Sequence, residues 1–185
     1  MNSPMLHDLI NASYQRNKKA EELGNKHNVQ LDHQLSNSEH KVFRDPNTNN
    51  SSVVFTGTRK FGDLLTDAAL AVGLGKYTKR FKDSERVIRD VKKKYPDTKV
   101  TSVGHSLGGF LSENVKADKK ITYNKGVGLG DIEKTISSNQ TDIRTKFDPI
   151  SILAGTQKHK NKLVSINSGV FNAHGTQNLK NKNVI

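Results

Sequence analysis

The 185-residue chain has no cysteine and no tryptophan, only four prolines and two methionines, and 18 acidic residues against 30 basic ones. Without cysteine there can be no disulfide and no thiolate-bound metal or redox centre, and nothing indicates a redox compartment. No run approaches the roughly 18 apolar residues of a membrane-spanning helix. The first residues lack a basic stretch followed by an apolar core, so no signal peptide is expected. The seven histidines never fall at His-Glu-x-x-His spacing, so no catalytic metal is expected. Lys125-Gly126-Val127-Gly128-Leu129-Gly130 is rich in glycine but is neither a phosphate-binding loop nor a dinucleotide fingerprint, and no cofactor is expected. Aromatic residues make up 6% of the chain, which gives little support to base stacking on single-stranded nucleic acid.

What is present is positive charge, +12 overall. It favours anionic partners, nucleic acid or a negatively charged lipid surface, without choosing between them. The length suits one domain over residues 1–185. Leu6, Leu9, Ile10, Tyr14 and Leu23 form an apolar stripe with helical character, Pro4 in its first turn and Gly24 at its stop. Phe81, Val87, Ile88, Val91 and Tyr95 mark a second helix ended by Pro96. Its polar face carries Lys82, Arg86, Arg89, Lys92, Lys93 and Lys94, partly offset by Glu85 and Asp90.

The chain is organised around residues 98–111, Thr-Lys-Val-Thr-Ser-Val-Gly-His-Ser-Leu-Gly-Gly-Phe-Leu. Its first half alternates β-branched residues and predicts a strand. Leu107, Phe110, Leu111 and Val115 follow at helical spacing. Between them Gly104-His105-Ser106-Leu107-Gly108 matches the G-x-S-x-G nucleophile elbow, a strand turning sharply into a helix with serine at the tip. Gly104 and Gly108 lack a Cβ, so strand and helix can approach around a strained serine. The turn presents Ser106 Oγ and aims the first helical N–H groups, that of Leu107 among them, at the same point.

Upstream, Lys41–Arg44 and Ser52–Phe55 read as a hairpin across an Asn-rich turn at 45–50, and the second strand runs into Thr56-Gly57-Thr58. Leu31 to Ser38 reads as irregular. Downstream, a parallel strand is expected at Lys120–Asn124, a short helix from Asp131 to Ser138, a strand at Ile143–Phe147 with Asp148-Pro149-Ile150 at its carboxyl end, and a last strand at Leu163–Asn167 before His174. The order Ser106, Asp148, His174 is that of the α/β hydrolases. His105 is expected to point back into the protein in a structural role. His159 lies in the basic stretch Lys158 to Lys162, a hairpin or loop.

These motifs, with Gly109, resemble those of the class 3 lipases, the α/β-hydrolase family of fungal triacylglycerol lipases. Ser52-Val53-Val54-Phe55-Thr56-Gly57-Thr58 resembles that family's strand ending in Phe-Arg-Gly-Thr/Ser and departs from it at Thr56, where arginine is usual. The similarity runs from about His40 to the end. Leu35-Ser36-Asn37-Ser38 extends it to the small relatives known from large DNA viruses and microbes. The resemblance implies a minimal three-layer α/β-hydrolase fold with a mostly parallel central sheet and an N-terminal helix across it. It implies Ser106 as nucleophile, Asp148 and His174 as its partners, and Thr58 as an oxyanion donor beside Leu107. It implies a lipid ester as substrate. The family carries its lid near residues 61–75, apolar here. That segment is expected either as a buried helix or, through Leu70, Val72, Leu74 and Tyr77, as an acyl-pocket wall or small lid. Asp63 and Asp67 lie four apart on one helical face, and with no histidine to join them their role is expected to be structural.

Three functions remain open. The favoured one is a lipase or phospholipase that meets an anionic membrane surface through Lys82–Lys94 and Lys158–Lys162. The rivals are a basic binding protein that keeps the fold without catalysis, with nucleic acid as the less supported partner, and a hydrolase of small soluble esters or thioesters. The sequence assigns no compartment; cytoplasm and virion both fit.

Overall fold

The computed structural model describes residues 1–58, 79–127, 131–159, 162–167 and 173–180. Leu70, Val72, Leu74 and Tyr77, with Asp63 and Asp67, lie outside them. Four helices are described: α1 (Ser3–Ser13), α2 (Asn17–Asn25), α3 (Lys79–Lys94) and α4 (Leu107–Asn114). The strands are β1 (Gln30–Leu31), β2 (His40–Arg44), β3 (Ser51–Phe55), β4 (Val100–His105), β5 (Lys119–Tyr123), β6 (Thr135–Ile136), β7 (Gln140–Thr145), β8 (Lys158–His159) and β9 (Lys162–Ile166).

Seven strands form one sheet in the order β1-β2-β3-β4-β5-β7-β9. The first three pair antiparallel and the rest parallel. Val103 faces Ile121 across β4 and β5, the adjacency on which the expected topology depends. The strand period of two divides the core between the two faces. Val54, Val103, Ile121 and Ile143 pack with Leu6, Leu9 and Ile10 of α1. Val42, Val53, Phe55 and Val100 pack with Val87, Ile88 and Val91 of α3 and with Phe110 and Leu111 of α4. Helices therefore cover both faces, which makes the three layers of an α/β fold.

Two expectations are corrected. The N-terminal stripe is broken: α1 ends at Ser13 and α2 begins at Asn17, with Arg16 extended at φ −66°, ψ 156°. The Thr56 hydroxyl donates to the Ser13 carbonyl at 2.8 Å, which takes an acceptor that a continuing helix would use. The segment from Asp131 to Ser138 is not a helix. Glu133 sits at φ 61°, a left-handed conformation that a right-handed helix cannot contain. The β-branched pair Thr135–Ile136 instead pairs in parallel with Lys158–His159 as a separate two-stranded sheet.

Candidate active site

The candidate nucleophile stands where β4 becomes α4. Ser106 has φ 57° and ψ −126°, a region costly for any residue with a Cβ. Four backbone hydrogen bonds hold it there. Its N–H donates to the Tyr123 carbonyl at 3.1 Å, and its own carbonyl accepts from Gly109 (2.9 Å), Phe110 (3.2 Å) and Gly126 (3.2 Å). The turn is also tight against β3, where a Cβ on Gly108 would lie 2.3 Å from the Phe55 carbonyl oxygen. Ser106 is buried, and its Oγ has no hydrogen-bond partner among the described residues.

The other two candidates come together. His174 Nδ1 lies 2.7 Å from Asp148 Oδ1, and both residues are buried. A carboxylate only accepts, so Nδ1 carries the proton and Nε2 is left basic. Asp148 follows β7 in a turn where the N–H groups of Ser151 (2.9 Å) and Ile150 (3.3 Å) also donate to it. Burial alone would raise its pKa. The hydrogen bond and charge of His174, with the donors at 150–151, outweigh burial and hold the carboxyl below its ordinary value.

The histidine loop is fixed through three successive carbonyl groups. The Ala173 carbonyl accepts from Asn124 Nδ2 at 2.9 Å and from the Thr145 hydroxyl. That of His174 accepts from His105 Nε2 at 2.8 Å, and that of Gly175 from the Tyr123 hydroxyl at 2.9 Å. The His105 and His174 rings lie 4.5 Å apart, which sets His174 beside the residue preceding the candidate nucleophile. His105 is thus buried as expected, but it touches the catalytic candidate directly.

The expected oxyanion donors are Leu107, next to Ser106, and Thr58. Leu107 is the first residue of α4, so its N–H has no intrahelical acceptor. Thr58 follows Gly57, where a Cβ would lie 3.3 Å from Ser106 Cβ.

Several residues of this neighbourhood were not singled out in the sequence. Asn124 sits at φ 42° at the carboxyl end of β5, where asparagine is tolerated and where parallel sheets place their sites. Lys125 reads as a loop charge, yet it is 2% exposed. It pairs with Asp142 at 2.6 Å and with Glu113, behind the turn that its Cβ would crowd were Gly109 larger. Lys134 also reaches Glu113 at 2.9 Å, and His159 reaches Asp142 at 3.2 Å. No cluster of metal-ligating side chains occurs among the described residues.

No family model matches the chain, and no curated protein matches it. Solved structures do. The Lip2 lipase of Yarrowia lipolytica superposes with a TM-score of 0.58 at 15% identity, over 89% of this chain and 77% of that one. A mutant form of MDLA from Penicillium cyclopium gives 0.56 at 15%, over 90% and 79%. The Rhizomucor miehei lipase in complex with its propeptide gives 0.56 at 13%, over 90% and 68%. At such identities the likeness lies in the architecture: the chain has the class 3 lipase-like fold, a mixed and mostly parallel sheet between helices.

Proposed function

We propose that the chain is a serine carboxyl-ester hydrolase acting on lipid esters, with Ser106 as nucleophile. The observation that carries this reading is the 2.7 Å pair of His174 and Asp148 beside a serine held at φ 57°. His174 Nε2 takes the Ser106 proton as Oγ attacks the ester carbonyl, and Asp148 stabilises the imidazolium that forms. The N–H groups of Leu107 and Thr58 receive the negative charge on the former carbonyl oxygen. The protonated histidine returns its proton to the leaving alcohol, and an acyl-serine remains. Water, deprotonated by His174, then attacks the acyl-serine and releases the acid and free Ser106. The same reading treats residues 1–185 as one domain, supported by a sheet whose strands run from residue 30 to residue 166.

An anionic lipid surface is the substrate phase this reading favours. Phe147 and Ile152 stand 58% and 61% exposed on either side of Asp148, with Lys146 next to Phe147, and exposed apolar residues near a lysine suit a charged interface. A cavity of about 540 Å³ on the Tyr14 side is lined by Arg16, Lys41, Tyr14 and four amide or hydroxyl side chains, and by no carboxylate. The test is covalent capture by a fluorophosphonate and turnover on short esters, triglyceride and anionic phospholipid vesicles, with Ser106→Ala as control. Labelling that survives Ser106→Ala rejects the nucleophile. Turnover confined to short soluble esters rejects the lipid substrate. Salt-dependent nucleic-acid binding without any turnover favours a binding protein.

A further inference from the structure

Tyr14 is the C-cap of α1, far in sequence from every residue given a chemical role. Its hydroxyl accepts from the Gly57 N–H at 3.0 Å and lies 3.1 Å from His105 Nδ1. The proton positions along this chain follow from its far end. The His174 carbonyl can only accept, so His105 Nε2 carries the hydrogen and Nδ1 must accept. The Tyr14 hydroxyl therefore donates to Nδ1, and its oxygen is left to receive the Gly57 N–H. Burial, reinforced by the charge of His174, drives the pKa of His105 down to about 3, so the ring stays neutral and the direction is fixed. The ring is further held by stacking on Tyr123, 5.5 Å between centroids.

We propose that Tyr14 is a positioning residue for the reaction at Ser106, holding through one hydroxyl both the backbone that leads into Thr58 and, by way of His105, the backbone of His174. The proposal rests on the reading of Ser106, His174 and Thr58 given above. The oxyanion donor and the base, which must be in place together around Ser106, belong to segments more than a hundred residues apart. Misplacement of either by a fraction of an ångström is costly to rate. Gly57 is fitted to this role, because a Cβ there would lie 2.3 Å from the Tyr14 hydroxyl oxygen. Tyr14, still in the right-handed helical region at φ −87°, ψ −6°, leaves from the last turn of α1, so the helix itself sets its direction. The Thr176 hydroxyl adds a second tie from α1 to the histidine loop, donating to Asn11 Oδ1 at 2.8 Å.

Tyr14→Phe keeps the ring and removes only the hydroxyl. The Gly57 N–H then loses its acceptor and His105 Nδ1 its donor. The ring keeps its Nε2–H bond to the His174 carbonyl, and Nδ1 is left as a buried acceptor with nothing to receive. On a soluble chromogenic ester, kcat should fall about tenfold with KM within about twofold, the effect of one unsatisfied hydrogen bond expressed in the transition state. His105→Gln, which can aim its amide N–H at the His174 carbonyl but then has no acceptor at the Nδ1 position, should cost a similar factor. The double variant should be no worse than the worse single one. Imidazole ¹⁵N shifts should show His105 protonated at Nε2 from about pH 5 to about pH 9 in wild type and in Tyr14→Phe alike, since burial keeps it neutral and the His174 carbonyl holds the Nε2 hydrogen, with the Nδ1 resonance of the variant shifted by the loss of its hydrogen bond. A Tyr14→Phe enzyme that retains kcat within twofold, or losses that multiply in the double variant, would overturn the proposal while leaving the hydrolase reading intact. A wild type that neither labels with fluorophosphonate nor turns over any ester overturns both. Should Tyr14→Phe fail to fold, the wild-type shifts decide: His105 protonated at Nδ1 rejects the relay.

Discussion

Gly104 and Gly108 meet so closely that a Cβ on the first would lie 2.0 Å from the carbonyl oxygen of the second. The strand and helix that carry the candidate nucleophile touch backbone to backbone, and no side-chain rotation can relieve a collision there. Gly104→Ala should therefore lower the unfolding free energy by about 3 kcal/mol or more. Gly155→Ala is the contrast. Its Cβ would meet Arg144 Nη1 at 2.3 Å, the movable end of a long side chain, and the change should stay within about 0.5 kcal/mol. Urea midpoints of the two variants check this, and similar losses in both would refute the backbone argument.

Asp148→Asn should leave the fold in place and lower kcat on a soluble ester by about 10⁴-fold, the scale of losing the correct histidine tautomer in a serine–histidine–aspartate site. An amide can present N–H to His174 Nδ1, which places the proton on Nε2 and removes the base. Steady-state kinetics beside a thermal melt separate this from unfolding. A loss below about tenfold would remove Asp148 from the role proposed for it.

Stability should fall on acidification well before carboxylates titrate. Burial, partly offset by the hydrogen bond to the Leu35 carbonyl and reinforced by Lys41, lowers the pKa of His40 to about 4, and His105 lies at about 3. An unfolded imidazole has a pKa of about 6.5. Below that value the unfolded chain binds protons that the folded chain refuses, so stability declines toward each folded pKa, by up to about 1.4 kcal/mol per pH unit for each ring. Asp148 acts lower: its depressed pKa contributes stability above about pH 4, lost as pH falls through the folded value. Denaturant midpoints between about pH 7.5 and pH 4.5 should drop, and His40→Gln should flatten the slope. A level profile across that interval contradicts the buried neutral histidines.

Phe147→Ser with Ile152→Ser should impair turnover on anionic vesicles about tenfold more than turnover on a soluble ester, since burying either side chain in lipid contributes on the order of 2 kcal/mol. Vesicle flotation with the double variant gives the same comparison without catalysis. Equal losses on both substrates would place these residues away from the lipid surface.

The elbow was legible because it is written locally. The period changes from two to 3.6 across Ser106, and glycine stands wherever backbone meets backbone. The apolar run at Val53–Phe55 and the alternation of residues 120–124 are likewise local marks of the strands beside it, and the spacing of Phe81 to Tyr95 predicted α3. What was not legible depends on partners distant in the chain. The break after Ser13 is made with Thr56, 43 residues away. The burial of Lys125 depends on Glu113 and Asp142 arriving from a helix and another strand. Glu133 carries no mark of its left-handed conformation, and Asp131, a residue suited to an N-cap, makes the segment read as helix. Asn124 could have been noticed as an asparagine at the carboxyl end of a parallel strand, but its donation to Ala173 belongs to the assembled sheet.

The three tethered carbonyls of residues 173–175 have a consequence for the order of events in folding. Their donors come from β4, β5 and β7, and the loop is tied to α1 across 165 residues. Closing so long a loop is entropically costly and slow beside the formation of any one helix. The loop's described residues, 173–180, belong to no strand, so they wait on those strands to be held. Reactivity at Ser106 would therefore be among the last properties the refolding chain recovers, after helical circular dichroism has returned. A chain caught partway would keep its serine on the elbow with His174 not yet brought to it.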